Sequence, residues 1–288
     1  MSSDQFGTGL NEMNSVSVVV PTYNSERVLG ECLESLRLQE VLPSEVIVSD
    51  GGSTDHTIEI AHQFGATVIE MKANRSAQRN AGAQTASGKY LFFVDSDMRA
   101  TPRVIAECLQ GFSQPQAALV IPEVFLGTGF WGKVRSFERT FYEGVWYIEA
   151  ARWYRRDQFL QLGGFDARLV GPEDWDLDQR IRRFGSVGRI NAVIEHNEGY
   201  VRLAGLLGKK GHYAESFPMF REFHPERAAL CLSTRRRVAL FLGKPTEVIR
   251  HPALSVGVGV LGAAEILVSQ RWSGARSRSS AAPERRAI

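Results

Sequence analysis

The sequence predicts an α/β fold built on a mainly parallel sheet. Apolar runs of strand length alternate with segments of helical periodicity through roughly the first hundred residues, a pattern typical of βαβ units. These runs are rich in valine, isoleucine and phenylalanine, as buried strands are. Polar and glycine-rich segments follow several of them, at the sheet edge where open α/β folds bind ligands.

The predicted elements follow one another in a regular order. They are a strand and turn at 16–24, a helix at 26–39, a strand and glycine-rich loop at 45–55, a helix through 58–64, a strand at 67–71, a helix at 76–86 and a strand at 90–94. Ser25 can cap the first helix, and Thr54 or Asp55 the second. A strand at 187–195 is also expected.

Two carboxylates follow the predicted strand at 90–94. Asp95 and Asp97 are one residue apart, so in extended chain their side chains point the same way. Two hard oxygen ligands can then face one divalent cation, and that cation can hold a diphosphate. The alternative for so short a motif is a solvated turn.

Further motifs give this pair a context. In chain order the segments are Val18–Asn24, Val48–Asp55, Arg75–Gly82, Phe93–Asp97 and Gly171–Asp178. Together they resemble the family 2 glycosyltransferases with the GT-A fold, over roughly residues 16–199. The chain departs from the commoner pattern at Ser49, where many relatives carry an aspartate. The alternative is an unrelated nucleotide-binding α/β protein.

The resemblance implies a nucleotide-sugar donor, most often a UDP-sugar, with GDP- and dTDP-sugars as alternatives. The implied donor-binding residues are Pro21, Thr22, Tyr23, Asn24, Asp50, Arg79, Asp95 and Ser96. Asp50 would accept a hydrogen bond from the base, and its alternative is a turn aspartate that bonds its own backbone. Arg79 would approach the diphosphate, and its alternative is a solvated helix arginine.

The resemblance also implies a divalent cation, Mg²⁺ or Mn²⁺. Asp97 is the first choice as direct ligand, while Asp95 would bind the metal or the donor ribose. His196 follows the predicted strand at 187–195, where many GT-A enzymes place a further metal ligand. A lone histidine can equally be structural.

Glu173 and Asp174 look like the acidic catalytic pair of the family. A helix is expected to begin there, and its N-terminus would stabilise carboxylates for purely structural reasons. We assign the general base to Asp174 and an orienting or acceptor-binding role to Glu173. The resemblance implies inversion by a single displacement. Asp176 and Asp178 are expected on the helix surface.

Two further segments are candidates for acceptor contacts. Aromatic residues are dense between Phe137 and Tyr154, where they can stack on a sugar or pack in a core. His212 and Tyr213 can contact the diphosphate or a lipid phosphate, or lie on a solvated helix.

Composition fits a globular enzyme of 288 residues with 43% hydrophobic residues. The net charge of +2 argues against a general polyanion-binding surface, and no nucleic-acid motif is visible. Three scattered cysteines suggest buried thiols in a reducing compartment. Residues 1–15 show no signal peptide. A cytoplasmic enzyme, associated with the inner face of the cell membrane, is therefore expected.

Four segments are predicted: a disordered leader at 1–15, a GT-A catalytic domain at 16–199, a helical, apolar appendage at 200–272 and a disordered basic tail at 273–288. The catalytic domain would divide into a nucleotide-sugar half at 16–99 and an acceptor half at 100–199. Residues 252–269 are almost wholly apolar but contain Glu265. They form a core or dimer helix, a re-entrant or interfacial membrane helix, or a membrane span.

The resemblance thus implies a metal-dependent, inverting transfer of a sugar to a hydroxyl acceptor, either free or lipid-linked. Two alternatives stay open. A polyprenyl-phosphate glycosyltransferase would use an ionised phosphate and need no base. A catalytically silent nucleotide-sugar-binding protein would need neither the base nor the metal carboxylates.

Overall fold

The computed structural model describes residues 15–112 and 116–279. The strands are β1 Val16–Thr22, β2 Glu45–Asp50, β3 Thr67–Glu70, β4 Tyr90–Phe93, β5 Met98–Ala100, β6 Gln116–Val120, β7 Glu123–Thr128, β8 Trp153–Arg155, β9 Ser186–Arg189 and β10 Ile194–Tyr200. The helices are α1 Leu29–Arg37, α2 Thr57–Gln63, α3 Arg75–Thr85, α4 Val104–Gly111, α5 Gly129–Thr140, α6 Arg156–Gln161, α7 Glu173–Ile181, α8 Leu203–Ala214, α9 Phe217–Phe223, α10 Pro225–Cys231, α11 Thr234–Leu242, α12 Pro245–Arg250 and α13 Pro252–Ser279.

The predicted α/β fold is confirmed. Seven strands form one sheet in the order β3-β2-β1-β4-β8-β6-β9. All its described pairings are parallel except those of β8, which runs antiparallel between β4 and β6. A second sheet has the order β5-β10-β7. Its antiparallel register pairs Met98 with His196.

Apolar side chains cover both faces of the large sheet. Because side chains alternate along a strand, Val18 and Val20 of β1 pack in one core with α1, and Val19 packs in the other with Ala83 of α3. A Cβ at Gly82 would collide with Val19. The glycine therefore lets α3 approach the sheet closely.

The structure corrects three predicted element boundaries. The first helix begins at Leu29 rather than residue 26, because the Ser25 carbonyl accepts hydrogen bonds from the amides of Val28 and Leu29 in a preceding turn. His56 occupies the N-cap of α2, while Asp55 accepts the Thr57 amide at 3.1 Å. The strand expected at 187–195 is two strands, β9 and β10, and His196 lies inside β10.

The described contacts divide the chain into two units. Unit one comprises the chain up to Leu126 and the segments Tyr142–Ala167 and Glu173–Glu198, and it contains the seven-stranded sheet. Unit two comprises Gly127–Phe141, Arg168–Pro172 and the chain from Gly199, and it is largely helical. The predicted segment boundaries stay predictions. Residues 1–14 of the predicted leader and residues 280–288 of the predicted tail lie outside the described residues. Cys32, Cys108 and Cys231 are buried free thiols, as expected.

Candidate active site

The end of β1 and the glycine-rich loop after β2 form the predicted donor-binding surface, which we call the donor lip. Pro21 and Thr22 are buried within β1, whereas Tyr23 is 58% exposed. Asn24 adopts a left-handed conformation, with φ 48°. Its side-chain oxygen accepts the Thr54 amide at 2.9 Å, which joins the turn to the loop. Tyr23 is thus an exposed aromatic ring on a fixed turn.

Asp50 supports the loop rather than facing solvent. The residue is fully buried. One carboxylate oxygen accepts the hydroxyls of Thr22 and Ser53, at 2.8 and 2.5 Å, and the other accepts the amides of Gly52 and Ser53, at 2.9 and 2.7 Å. Both oxygens are used within the loop, as in the alternative of a turn aspartate that bonds its own backbone, and the predicted base contact stays a prediction.

Sequence reasoning missed Gln78 although it lies inside one of the motifs. Its side-chain nitrogen donates to the carbonyls of Thr22 and Ser49, each at 2.7 Å. These carbonyls belong to the ends of β1 and β2. Gln78 therefore ties together the two strand ends that carry the donor lip.

Arg79 is a buried link between two carboxylates, not a solvated arginine. It is 1% exposed. Its Nη2 lies 2.6 Å from Asp95 and its Nη1 lies 3.0 Å from Asp174. The guanidinium carbon sits 5.2 Å from the centroid of the Phe165 ring. Arg79 thus connects the carboxylate after β4 to the one in α7, and its predicted contact with a diphosphate stays untested.

Two residues that carry no sequence motif extend this link. Arg152 lies 3.6 Å from the second oxygen of Asp95 and 2.6 Å from Glu123. Burial alone would raise the pKa of Asp95, but the charges of Arg79 and Arg152 outweigh it and hold the pKa well below its usual range. Asp95 is therefore a fixed carboxylate between two arginines, and the structure does not support it as a direct metal ligand.

Asp97 and His196 are brought together by the pairing of β5 with β10. His196 Nε2 lies 3.1 Å from Asp97 Oδ2, and its Nδ1 lies 3.8 Å from Glu123 Oε2. Burial disfavours the charged ring, but Asp97 and Glu123 outweigh it and raise the pKa of His196 to about 9. Ser96, between the two aspartates, shares a hydrogen bond of 3.0 Å with Ser25.

The donor set fits a divalent cation through two residues. Among the described residues no group of three or more His, Cys, Asp and Glu is arranged to hold a metal ion. Asp97 and His196 can nevertheless face one cation together, and Glu123 stands behind His196 as carboxylates do behind metal-bound histidines. His196 must lose its proton to become a ligand.

The acidic pair lies at the start of α7, as predicted. Glu173 is 1% exposed, and Arg75 donates to its Oε1 from Nε at 3.1 Å and from Nη2 at 2.5 Å. The Oε2 atom of Glu173 has no hydrogen-bond partner among the described residues. The Asp174 side chain is 32% exposed and accepts its bond from Arg79. Asp174 is thus the carboxylate that an acceptor can reach.

Asp176 and Asp178 are not surface residues, contrary to prediction. Both are buried, at 3% and 0% exposure. Arg180 lies 2.6 Å from Asp176, and Arg182 lies 3.1 Å from Asp178, each four residues further along α7. The pairing compensates the burial of the two charges.

The aromatic segment mostly builds cores. Phe137, Phe141, Tyr142, Trp153 and Tyr154 are buried, whereas Trp146 is 53% exposed. Arg182 lies over the Trp146 ring, 5.4 Å from its centroid. The predicted acceptor wall is therefore reduced to Trp146 and its partly exposed neighbour Tyr147.

In unit two, His212 is exposed. Tyr213 packs so closely over Gly171 that a Cβ there would collide with its ring. These observations do not assign a phosphate-binding role to His212 or Tyr213, so that role remains a prediction.

Comparison with known proteins places these motifs in a family. The model of "Glycosyl transferase family 2" matches residues 17–169. The uncharacterized glycosyltransferase YibD of Escherichia coli is 35% identical over 99 residues, 32% of this chain and 29% of its own length. The chain thus spans well under half of that relative.

Two solved structures share the fold. The mannosyltransferase PcManGT from Pyrobaculum calidifontis, in complex with GDP-Man and Mn²⁺, has a TM-score of 0.62 and 16% identity, covering 92% of this chain and 90% of that one. S. aureus TarS 1–349 in complex with UDP has a TM-score of 0.52 and 20% identity, covering 95% and 94%. Since the family model matches more than half of the chain, this protein belongs to glycosyl transferase family 2.

Proposed function

We propose that the chain transfers a sugar from a UDP-sugar to a hydroxyl acceptor, with inversion and with a divalent cation. The observation that carries the proposal is the bridge of Arg79 between Asp95 and Asp174. It holds a partly exposed carboxylate beside the strand ends where the donor motifs lie. The UDP-bound structure of TarS supports a UDP-sugar, while PcManGT, which shares the fold, is bound to GDP-Man.

The donor would lie over the turn after β1. Tyr23 offers its exposed ring to the nucleoside, and Asn24 fixes the turn through its bond to the Thr54 amide. Asp50 and Gln78 keep the loop and the strand ends in place through buried hydrogen bonds. A preformed surface of this kind loses little conformational entropy on binding.

Asp97 and His196 would hold the cation. When bound, a divalent cation supplies positive charge to the leaving diphosphate. The charged residues of the site support a requirement for such a cation. Five carboxylates, at positions 95, 97, 123, 173 and 174, accompany three arginines, at positions 75, 79 and 152. Without a cation, this excess of carboxylates would repel a diphosphate.

Asp174 would take the proton of the acceptor hydroxyl. General base catalysis requires a carboxylate within reach of the acceptor, and Asp174 is far more exposed than Glu173. The bond from Arg79 fixes one oxygen of Asp174. Glu173, buried and clamped by Arg75, would orient the start of α7 rather than contact the acceptor. One base acting on one face is the arrangement of a single inverting displacement.

A donor screen tests the proposal. Full-length protein is heated with Mn²⁺ and each common nucleotide sugar, and the shift of the melting temperature identifies the donor. The anomeric configuration of the product is then read by NMR. We expect a UDP-sugar to stabilise the protein and the product to be inverted. Stabilisation by no nucleotide sugar, or a retained configuration, would contradict the proposal.

A second candidate is transfer to a polyprenyl phosphate at the inner face of the cell membrane. It is favoured by helix α13. Among the described residues, this helix alone is long and apolar enough to cross a membrane, over Pro252–Ser269, with a mean hydropathy of 1.7. An ionised phosphate acceptor needs no base. Transfer that is insensitive to Asp174→Asn would therefore favour this candidate.

A further inference from the structure

Charge is divided unevenly between the two units. The described residues of unit one include 15 Lys and Arg and 23 Asp and Glu, a net charge of −8 with histidine neutral. Residues 127–141, 168–172 and 199–269 of unit two include 14 Lys and Arg and 6 Asp and Glu, a net charge of +8. The net charge of the whole chain hides this division. Unit two can therefore attract an anionic surface although the chain is nearly neutral.

Helices α11 and α13, and the junction between α12 and α13, pack on one face of α5. That face is formed by Val134, Phe137 and Phe141, which contact, in that order, Gly257 of α13, His251 between α12 and α13, and Phe241 of α11. The ring centroids lie 5.4 Å apart for Phe137 and His251, and 4.8 Å apart for Phe141 and Phe241. Because the same face of α5 contacts α11, α13 and the junction between α12 and α13, these three helices lie beside one another in unit two.

The outward faces of these helices are apolar and exposed. We call them the outer face, formed by Val238 and Leu242 of α11, Ile249 of α12, and Val256, Val260 and Leu267 of α13. Ile249 is 77% exposed and Leu267 is 63% exposed. Exposed basic residues interrupt this surface at Arg235, Arg236 and Arg250, whereas the Lys244 ammonium donates to the Thr140 carbonyl of α5. Apolar side chains mixed with cations are typical of helices that lie in a lipid head-group region.

The opposite face of α13 is packed against the protein. Gly257 and Leu261 are buried there, and Glu265 lies 3.0 Å from Lys210 of α8. If α13 crossed a bilayer, the pair would separate and Glu265 would enter hydrocarbon, which is unfavourable for a carboxylate. The helix is therefore suited to lie on a membrane while it stays packed on unit two.

We propose that unit two docks peripherally on an anionic lipid bilayer through the outer face. The apolar side chains enter the head-group boundary, and the basic side chains contact lipid phosphates. Helix α13 keeps its contact with Lys210 and does not span the membrane. The inference concerns the location of the enzyme, and it holds whichever sugar is transferred.

Vesicle binding tests the proposal with full-length protein. Vesicles of phosphatidylcholine, alone or mixed with phosphatidylglycerol, are sedimented at low and high salt. We expect binding to the anionic vesicles only, weakened by salt. The Val256→Asp/Val260→Asp variant should lose at least about tenfold in affinity, and Arg235→Gln about fivefold.

The matched control is Leu38→Asp, which changes a side chain of unit one that is 62% exposed. It should leave binding unchanged. Because all these side chains are exposed, each variant should melt like the wild type. Equal binding to both kinds of vesicle, or no effect of the Val256→Asp/Val260→Asp change, would overturn the proposal. The proposal would also be overturned if the wild-type protein formed a dimer that bound no vesicles and that the Val256→Asp/Val260→Asp change dissociated. In that case a second copy of the chain would cover the outer face. Resistance to extraction from membranes at alkaline pH would also overturn it, because α13 would then span the bilayer.

Discussion

Replacing Arg79 by methionine should destabilise the protein more than any surface change. The side chain keeps its apolar length but loses its charge, so Asp95 and Asp174 both lose their hydrogen bonds to it. Breaking a buried ion pair costs about 3–5 kcal/mol, because the remaining charge stays buried. Because Asp174 is partly exposed to solvent, we expect a loss of stability at the lower end of this range. A loss of about 3 kcal/mol corresponds to a fall in Tm of about 6–12 °C for a chain of this size.

The pH dependence gives the same prediction an independent check. The pKa of native Asp95 lies well below its usual range, so below about pH 4 the unfolded chain binds a proton that the native chain does not. Wild-type stability should therefore fall as the pH decreases through this range. Without Arg79, the pKa of Asp95 is lowered less. The stability deficit of the Arg79→Met variant should then be largest at neutral pH and shrink below about pH 4.

Thermal unfolding from pH 3 to 7 measures both effects. Arg37→Met is the matched control, because Arg37 pairs with Glu34 at 3.6 Å on the exposed surface of α1. A surface pair of this kind contributes about 0–1 kcal/mol. Equal Tm values and equal pH profiles for Arg79→Met and wild type would refute the buried link.

Two further predictions concern the cation site. Asp97→Ala should weaken the Mn²⁺-dependent binding of UDP, measured by calorimetry, by at least the roughly 10- to 100-fold that outer-shell partners of a metal contribute. The control Ser96→Ala should leave this affinity unchanged. An unchanged affinity in Asp97→Ala would show that Asp97 is not a metal ligand. Glu123→Gln should lower the pKa of His196 from about 9 by about one unit in metal-free protein, as measured by NMR titration of the ring. Glu195→Gln, which changes the neighbouring carboxylate that pairs with Arg99 at 3.0 Å, should leave that pKa unchanged, and an equal shift in both variants would contradict the assigned contact.

The first four strands follow from local sequence. Strands β1, β2 and β4 are mostly buried and largely apolar, and Gly82 lies where α3 must approach Val19. The positions of Asp97 and Asp174 at the site also agree with their motifs. Periodicity and motif order were sufficient here because the relevant interactions are those of whole elements.

The connections within the site could not be predicted in the same way. Glu123 and Arg152 belong to no motif, and their ion pair joins segments 29 residues apart. Asp176 and Asp178 were misjudged for a related reason: a carboxylate in a polar segment looks solvent-exposed until its buried position and its arginine partner are known. The division of charge between the units was also hidden, because it depends on which distant segments pack together.

We propose that Asp174 is the general base, and its replacement by asparagine tests this role. Asparagine at this position keeps an oxygen that can accept the bond from Arg79, so donor binding should stay nearly intact. Transfer should fall by about two to four orders of magnitude, the usual contribution of a general base. Glu173→Gln is the control and should reduce transfer less.

Measuring the transfer rate and the UDP affinity of Asp174→Asn and Glu173→Gln side by side is the most direct test. We expect the Asp174→Asn variant to bind UDP like the wild type and to show almost no transfer. Normal transfer by Asp174→Asn would contradict it. If Glu173→Gln then abolished transfer, the two roles would be exchanged; if neither change mattered, the pair would serve only to begin α7 and the acceptor would already be ionised.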